Sequence, residues 1–199
     1  MDVFEAIRTT RAMRRLDPTV PVTDEQLWTI LGAAHCAPSG GNAQWLRWVV
    51  VTDAERRARL GEIYRACWAP VRRRYDDRVP TDPEAAEKQA RMLRSADHLA
   101  EHMGEAPVLI VPVTTVDEPS SVFPAVQNLM LAARALGLGT TLTTTHRHAA
   151  DEVREVLGLP PDAITWALIP VGVPTGRWGE ARRRPLESVV YWDTWEATR

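Results

Sequence analysis

Apolar and polar positions along this chain switch repeatedly between a helical period and short continuous apolar runs. Leu27, Ile30, Leu31 and Ala34 fall at i, i+3, i+4 and i+7, the spacing of one buried helix face. Thr23 and Gln26 have capping-box spacing ahead of that face, and Asp2 with Glu5 does the same for a shorter helix ending near Thr9. Residues 47–52 predict a strand, and Leu60, Ile63, Tyr64 and Cys67 form the stripe of a third helix. Residues 72–83 are charged and punctuated by Pro80 and Pro83, which predicts an exposed loop suited to a lid. Residues 84–103 predict a helix that is polar on most faces. The run from 108 to 115 is almost continuously apolar, as in a strand covered on both sides. Residues 123–136 form the most apolar helix, with Gly137 as its stop. A β-branched strand over 140–144, a short helix over 151–157 and a buried strand over 164–171 follow. From Pro174 onward the chain is irregular and polar, yet carries Val189-Val190-Tyr191-Trp192 near its end. The alternation predicts an α/β (α+β) fold: a central mixed sheet flanked by helices on both faces, with an extended C-terminal arm. It spans residues 1–199 as one domain.

Composition narrows the function classes. The chain has 199 residues, 45% of them hydrophobic, and a net charge of −2, which argues against a nucleic-acid binder. Nearly all positive charge is arginine, Lys88 being the one lysine. Cys36 and Cys67 lack metal or redox spacing; both fall on apolar helix faces and are expected as buried free thiols, which suits a reducing cytoplasm. Residues 1–5 do not resemble a signal peptide, and no apolar run reaches membrane-spanning length.

Several motifs for other chemistries fall short. Gly137-x-Gly139 lacks the third glycine of a dinucleotide fingerprint and follows a helix. There is no Gly-x-Ser-x-Gly elbow. His98 and His102 stand at i, i+4 and would suit a metal with Asp97 or Glu101, but an exposed helix face is the commoner origin of such a pair, and no metal is expected. His146-Arg147-His148 is expected as loop, and Arg72-Arg73-Arg74 as a solvated charge run. Of the eight tryptophans, Trp28, Trp48 and Trp166 lie in regular elements and are expected in core or interface. Trp45, Trp68 and Trp178 lie near loops, where they could wall an aromatic pocket.

One connector carries more than a turn requires. Residues 37–44, Ala-Pro-Ser-Gly-Gly-Asn-Ala-Gln, join a helix to a strand, and Pro38, Gly40, Gly41 and Asn42 supply the turn. Ser39, Asn42 and Gln44 add neutral hydrogen-bonding groups beside bare backbone N–H groups, a loop able to hold a flat, polar-edged ligand. Two distant segments accompany it: Thr10-Arg11-Ala12-Met13-Arg14-Arg15-Leu16, followed by Pro21-Val22, and Arg182-Arg183-Arg184-Pro185-Leu186-Glu187, followed by Val189-Val190-Tyr191-Trp192-Asp193. With Thr143-Thr144-Thr145 and Gly172-Val173-Pro174, these segments resemble the FMN-dependent nitroreductase family. The resemblance covers nearly the whole chain, residues 64–105 excepted.

That resemblance implies a three-layer fold, an intertwined homodimer with small-molecule substrates, FMN as cofactor and NADH or NADPH as electron donor. It implies that Arg11 and Arg183 hold the FMN phosphate, that Arg14 sits near the N1–C2=O edge of the ring, and that Ala12 and Met13 lie along the same segment. It also implies that Pro38, Ser39, Gly40 and Asn42 approach the ring from the other subunit, and that backbone at Thr143, Thr144 and Thr145 serves N5. No side chain is expected to act as a separate catalytic group, since N5 is the reactive atom. The implied activity is hydride transfer from NAD(P)H to an electron-poor acceptor; a specialised dehydrogenase or reductase of a biosynthetic pathway, and a flavin-binding module without turnover, remain alternatives. The sequence departs from the family in having Thr10-Arg11-Ala12 for Arg-Arg-Ser and Gln44-Trp45-Leu46 for Gln-Pro-Trp. Thr10 offers a replacement hydroxyl, and Arg182 or Arg184 a replacement charge. The Glu-Tyr-Lys pattern of the related iodotyrosine deiodinases is not found in the lid region.

Overall fold

The computed structural model describes residues 1–198. Its elements run α1 (Val3–Thr9), α2 (Asp24–His35), β1 (Arg47–Val51), α3 (Ala54–Asp76), α4 (Pro83–His102), β2 (Val108–Thr114), α5 (Pro119–Ala135), β3 (Gly139–Thr140), α6 (Ala150–Leu157), β4 (Ile164–Thr165) and β5 (Ile169–Gly172). The sheet order is β1-β2-β5-β3, with β4 also pairing β2. Every pairing of these strands is antiparallel, and a single Ala12–Thr140 bridge supplies the parallel contact that makes the sheet mixed.

The three layers follow from β2. All seven of its residues are buried, because alternate side chains enter two different cores. Leu109, Val111 and Val113 join Leu60, Ile63, Tyr64, Leu99 and Val153 beneath α3, α4 and α6. Val108 and Ile110 join Leu27, Ile30, Val126 and Leu129 beneath α2 and α5. The predicted caps form as expected: the Asp2 side chain accepts from the Glu5 N–H, and Thr23 and Gln26 complete a reciprocal capping box. Gly137, at φ 78°, ends the α5 turn.

Four expectations need correction. The third helix does not stop before Arg72 but continues through Pro70 to Asp76, so the exposed connector shrinks to residues 77–82. The extension is held by α4: Trp68 Nε1 donates to Asp97 Oδ1 at 2.8 Å, Arg72 Nε to Asp97 Oδ2 at 3.1 Å, and Gln89 Nε2 to the Tyr75 carbonyl at 3.1 Å. Arg72 is therefore an ion-paired residue and not part of a solvated run. Cys36 is exposed at the end of α2; only Cys67 is a buried thiol. Trp28 stands 76% exposed, which removes core and leaves interface from its expectation. The strands predicted over 140–144 and 164–171 are both interrupted: β3 is two residues long, and the chain leaves the ladder between β4 and β5, where the Trp166 N–H bonds Pro112 O and the Leu168 N–H bonds Thr143 O.

Two glycines set how closely layers approach. A Cβ on Gly61 would lie 2.6 Å from the Gly104 backbone nitrogen, so α3 crosses the turn after α4 in backbone contact. A Cβ on Gly139 would lie 2.8 Å from Met13 Cβ and 3.1 Å from Pro174 Cβ, so the N-terminal segment lies directly on β3.

Candidate active site

Three of the singled-out segments meet at the β3 edge of the sheet. The Met13 N–H bonds the Thr140 carbonyl at 2.9 Å, and Thr141 Oγ1 returns a bond to the Met13 carbonyl at 2.7 Å. On the other side, the Asp17 N–H bonds Val173 O and the Thr175 N–H bonds Arg15 O. Residues 11–17 are thus a strap clamped between residues 139–141 and 173–175. Its side chains divide by position: Met13 is buried, Arg14 half-buried, and Arg11 and Ala12 exposed. Neither Arg11 nor Arg14 forms an ion pair among the described residues, in contrast to Arg8, Arg59, Arg65, Arg72 and Arg154.

Thr143 and Thr145 complete this edge. Thr143 is buried, donating through Oγ1 to the Leu168 carbonyl at 3.0 Å, while Thr144 is exposed and starts the tight turn over residues 145–149. Tyr64 is buried beside Thr143, Thr145 and Arg14. Burial pushes this phenol above its ordinary range, against the lowering pull of Thr145, Thr143 and Arg14. Tyr64 stands at this edge, where the sequence pattern placed it simply in the core. Its periodic stripe is correct, and nothing in that stripe announces where the hydroxyl ends up.

The loop over 37–44 sits elsewhere on the chain. The Gly40 N–H bonds Ser121 Oγ at 3.1 Å, at the start of α5, and Ser39 Oγ accepts from the Gln44 N–H at 3.1 Å. Asn42 and Gln44 both hold positive φ, at 54° and 53°, beside Gly41 at 56°. For a residue with a Cβ such a conformation costs about 1 kcal/mol or more, and it persists here because Ser39, Ser121 and Arg47 fasten the loop. Pro38, Gly40 and Asn42 remain exposed. Within one chain the loop packs on the α2–α5 side, while the strap packs on β3. Arg183 is exposed in the arm. The arm first touches the body where Trp178 lies under the Arg134 guanidinium at 4.2 Å and Arg8 pairs with Glu180 at 3.4 Å. Gly179 passes beside Arg11 there, and Arg134 in turn donates to Thr9 Oγ1.

Comparison with known proteins places these features. The sequence profile of the Nitroreductase family matches residues 7–173. The chain belongs to the nitroreductase family. The match contains the strap, the loop and the threonine segment, and ends before Arg183. A provisionally named NADH dehydrogenase/NAD(P)H nitroreductase of Methanothermobacter thermautotrophicus is 29% identical over 177 residues, covering 87% of this chain and 78% of its own. The NADPH-flavin oxidoreductase of Vibrio harveyi is 27% identical over 192 residues, covering 96% and 73%. The fold matches that of the FMN and NADPH-dependent nitroreductase NfnB from sphigopyxis sp. strain HMH, with a TM-score of 0.74 at 24% identity, covering 98% of this chain and all of that one.

This nitroreductase-family chain has one more buried polar group at the site edge. His146 is fully buried; its Nε2 lies 3.1 Å from Thr165 Oγ1, and its Nδ1 has no partner among the described residues. Burial, reinforced by the Arg147 charge, drives its pKa down from 6.5 to about 4. The segment expected as loop is a tight 3₁₀ turn, and the His146 ring is buried in the protein. Among the described residues no helix is long and apolar enough to cross a membrane.

Proposed function

We propose that this protein is an FMN-dependent oxidoreductase that accepts hydride from NADH or NADPH and, in ping-pong order, reduces an electron-poor acceptor such as a nitroaromatic or quinone. The observation that carries this reading is the clamped strap: Arg11 and Arg14, which form no ion pair among the described residues, and hydrogen-bonded threonines lie within the stretch shared with the family, and the 173–175 turn at its end is knit onto the same sheet edge. The donor set fits FMN. A phosphate dianion is best met by guanidinium forks, which Arg11 and Arg183 offer. A neutral ring with a polar edge is met by backbone N–H groups and by the uncharged loop of Pro38, Ser39, Gly40 and Asn42. When bound, FMN supplies the two-electron chemistry that no side chain here can perform.

The chain's own residues then position and bias. Arg14, half-buried and in no ion pair among the described residues, would stabilise negative charge at the N1–C2=O edge. Met13 holds the strap by its backbone and its buried side chain. Tyr64, buried beside Thr143 and Thr145, would back the segment whose backbone would serve N5. The Ala12 position lacks the family's serine hydroxyl, and Thr10, two residues earlier, offers a replacement. Anaerobic addition of NADH or NADPH to purified, FMN-loaded protein is expected to bleach the flavin spectrum within the mixing time of a bench experiment. A protein that takes up no FMN ends this reading, and bound flavin that nicotinamide cannot reduce makes it a binding module.

Two halves of the site lie apart on one chain, and a homodimer would join them. Beside α2, the outer edge of β1 borders a groove of about 760 Å³ walled by Leu27, Trp28, Leu31, Trp48 and Val50. The arm ends in exposed Val189, Tyr191 and Trp195. Exposed apolar surface on both a groove and an arm is the signature of surfaces that cover each other. The arm of one protomer, with Arg183, would lie on its partner, and the loop over 37–44 would reach the partner's strap. Removing the residues after Pro185 is expected to lower dimer content and FMN stoichiometry together in light scattering and absorbance. A truncated monomer that keeps stoichiometric FMN rules out the shared site.

A further inference from the structure

Behind the strap lies a second, smaller cavity of about 230 Å³, between residues 14–18 and the C-terminal end of α4. Its floor is apolar, formed by Leu16, Leu99 and Pro170. Its walls carry Arg14, Arg15, His98, His102 and Glu105. The charges do not balance. Glu105 is the one carboxylate on the wall, and its Oε2 is engaged with His102 Nδ1 at 3.0 Å. Arg15 directs Nη1 at His98 Nδ1, 3.0 Å away. A guanidinium has only donors, so that ring nitrogen must accept, and His98 is neutral with its proton on Nε2. Burial and the neighbouring Arg15 and His102 all hold the His98 pKa below its ordinary value, against the weaker pull of Glu105. The rings of His98 and His102 pack at 4.3 Å, which fixes both on the cavity wall.

Two guanidiniums thus face one already engaged carboxylate over an apolar floor, with imidazole donors between them. We propose that this cavity is an anion site for a phosphate group, bound by Arg15 and His98 with Arg14 contributing charge from the strap. Guanidinium forks match phosphate oxygens in geometry, and the apolar floor strengthens each contact by thinning the solvent around it. The phosphate comes either as the free ion or as the terminal group of a nucleotide. Arg15 and both histidines lie outside the residues assigned to FMN, and Arg14 is the one residue the two sites share.

The imidazole Cε1–H resonances of the five histidines report on it directly. With FMN added in excess, titration with inorganic phosphate is expected to move the His98 and His102 signals saturably while those of exposed His35 and His148 stay in place. Sodium chloride at matched ionic strength serves as reference. R15Q, at an exposed position, is expected to weaken the phosphate response by about tenfold or more, with an unchanged circular dichroism spectrum. NADP⁺ tested against NAD⁺ distinguishes the sources: a response to NADP⁺ at lower concentration than to free phosphate assigns a nucleotide phosphate, and the reverse assigns the free ion. Signals that move no more than in chloride, or that move equally at all exposed histidines, overturn the proposal. So does a response that R15Q leaves intact.

Discussion

Gly139→Ala is expected to uncouple the strap from the sheet and to cost both stability and cofactor. The new Cβ would stand 2.8 Å from Met13 Cβ and 3.1 Å from Pro174 Cβ, and neither is the flexible end of a side chain. The backbones must separate, and overpacking of this kind costs about 1–3 kcal/mol. The separation acts on the bonds that clamp the strap, Met13 N–H to Thr140 O and Thr141 Oγ1 to Met13 O, each worth about 1 kcal/mol net. Arg11 and Arg14 ride on that strap, so FMN affinity is expected to fall by about tenfold or more. Gly61→Ala gives the control. Its Cβ would meet the Gly104 backbone at 2.6 Å, a worse clash, but one between α3 and the turn after α4. That variant is expected to melt earlier by thermal denaturation while its folded fraction keeps near-normal FMN affinity in fluorescence titration. If both variants lose FMN in proportion to stability, the strap has no special role in holding the cofactor.

How far the sequence alone reaches depends on the kind of signal. The caps at Asp2 and Thr23 were legible because they are local: a side chain and the backbone N–H three residues on decide them. The double-faced burial of β2 was legible because a continuous apolar run has no other soluble home. The end of α3 was not. Pro70 and three arginines argue for a stop, and what overrides them is tertiary: Asp97 and Gln89 of α4 hold Trp68, Arg72 and Tyr75 from across the hairpin. The break between β4 and β5 was hidden for the opposite reason. Residues 164–171 are apolar except for Thr165, so no period marks where the chain leaves the ladder at Trp166. At the site, the strap and the loop were visible as residue types at family spacing. Tyr64 was not, because its helical stripe explains its burial without the hydroxyl, and His146 was not, because it stands in a polar triplet that gives no sign of a buried ring.

His146 carries the second large effect, and it is a dependence on pH. In the folded protein its pKa lies near about 4, against an ordinary 6.5. Between those values the unfolded chain binds a proton that the folded chain refuses, so stability falls as pH falls through that window and is fully present above it. At about 1.4 kcal/mol per pH unit separating the two values, this group alone withdraws roughly 3 kcal/mol by pH 4. Protonation would place a charge where Nδ1 has no partner among the described residues and Arg147 stands close. The ring would have to leave its place against Thr165, and with it the turn that begins at Thr145, which is the backbone assigned to the flavin. Acidification from pH 7 to pH 4.5 is therefore expected to release FMN before the bulk of the helices unfold. His146→Gln keeps an amide for Thr165 Oγ1 and removes the titration. Urea midpoints measured for both proteins across this range should converge, or cross, as pH falls, because only the wild type loses the histidine's contribution. A difference between the two that stays constant from pH 7 to pH 4.5 would show that His146 does not set the acid limit of the fold.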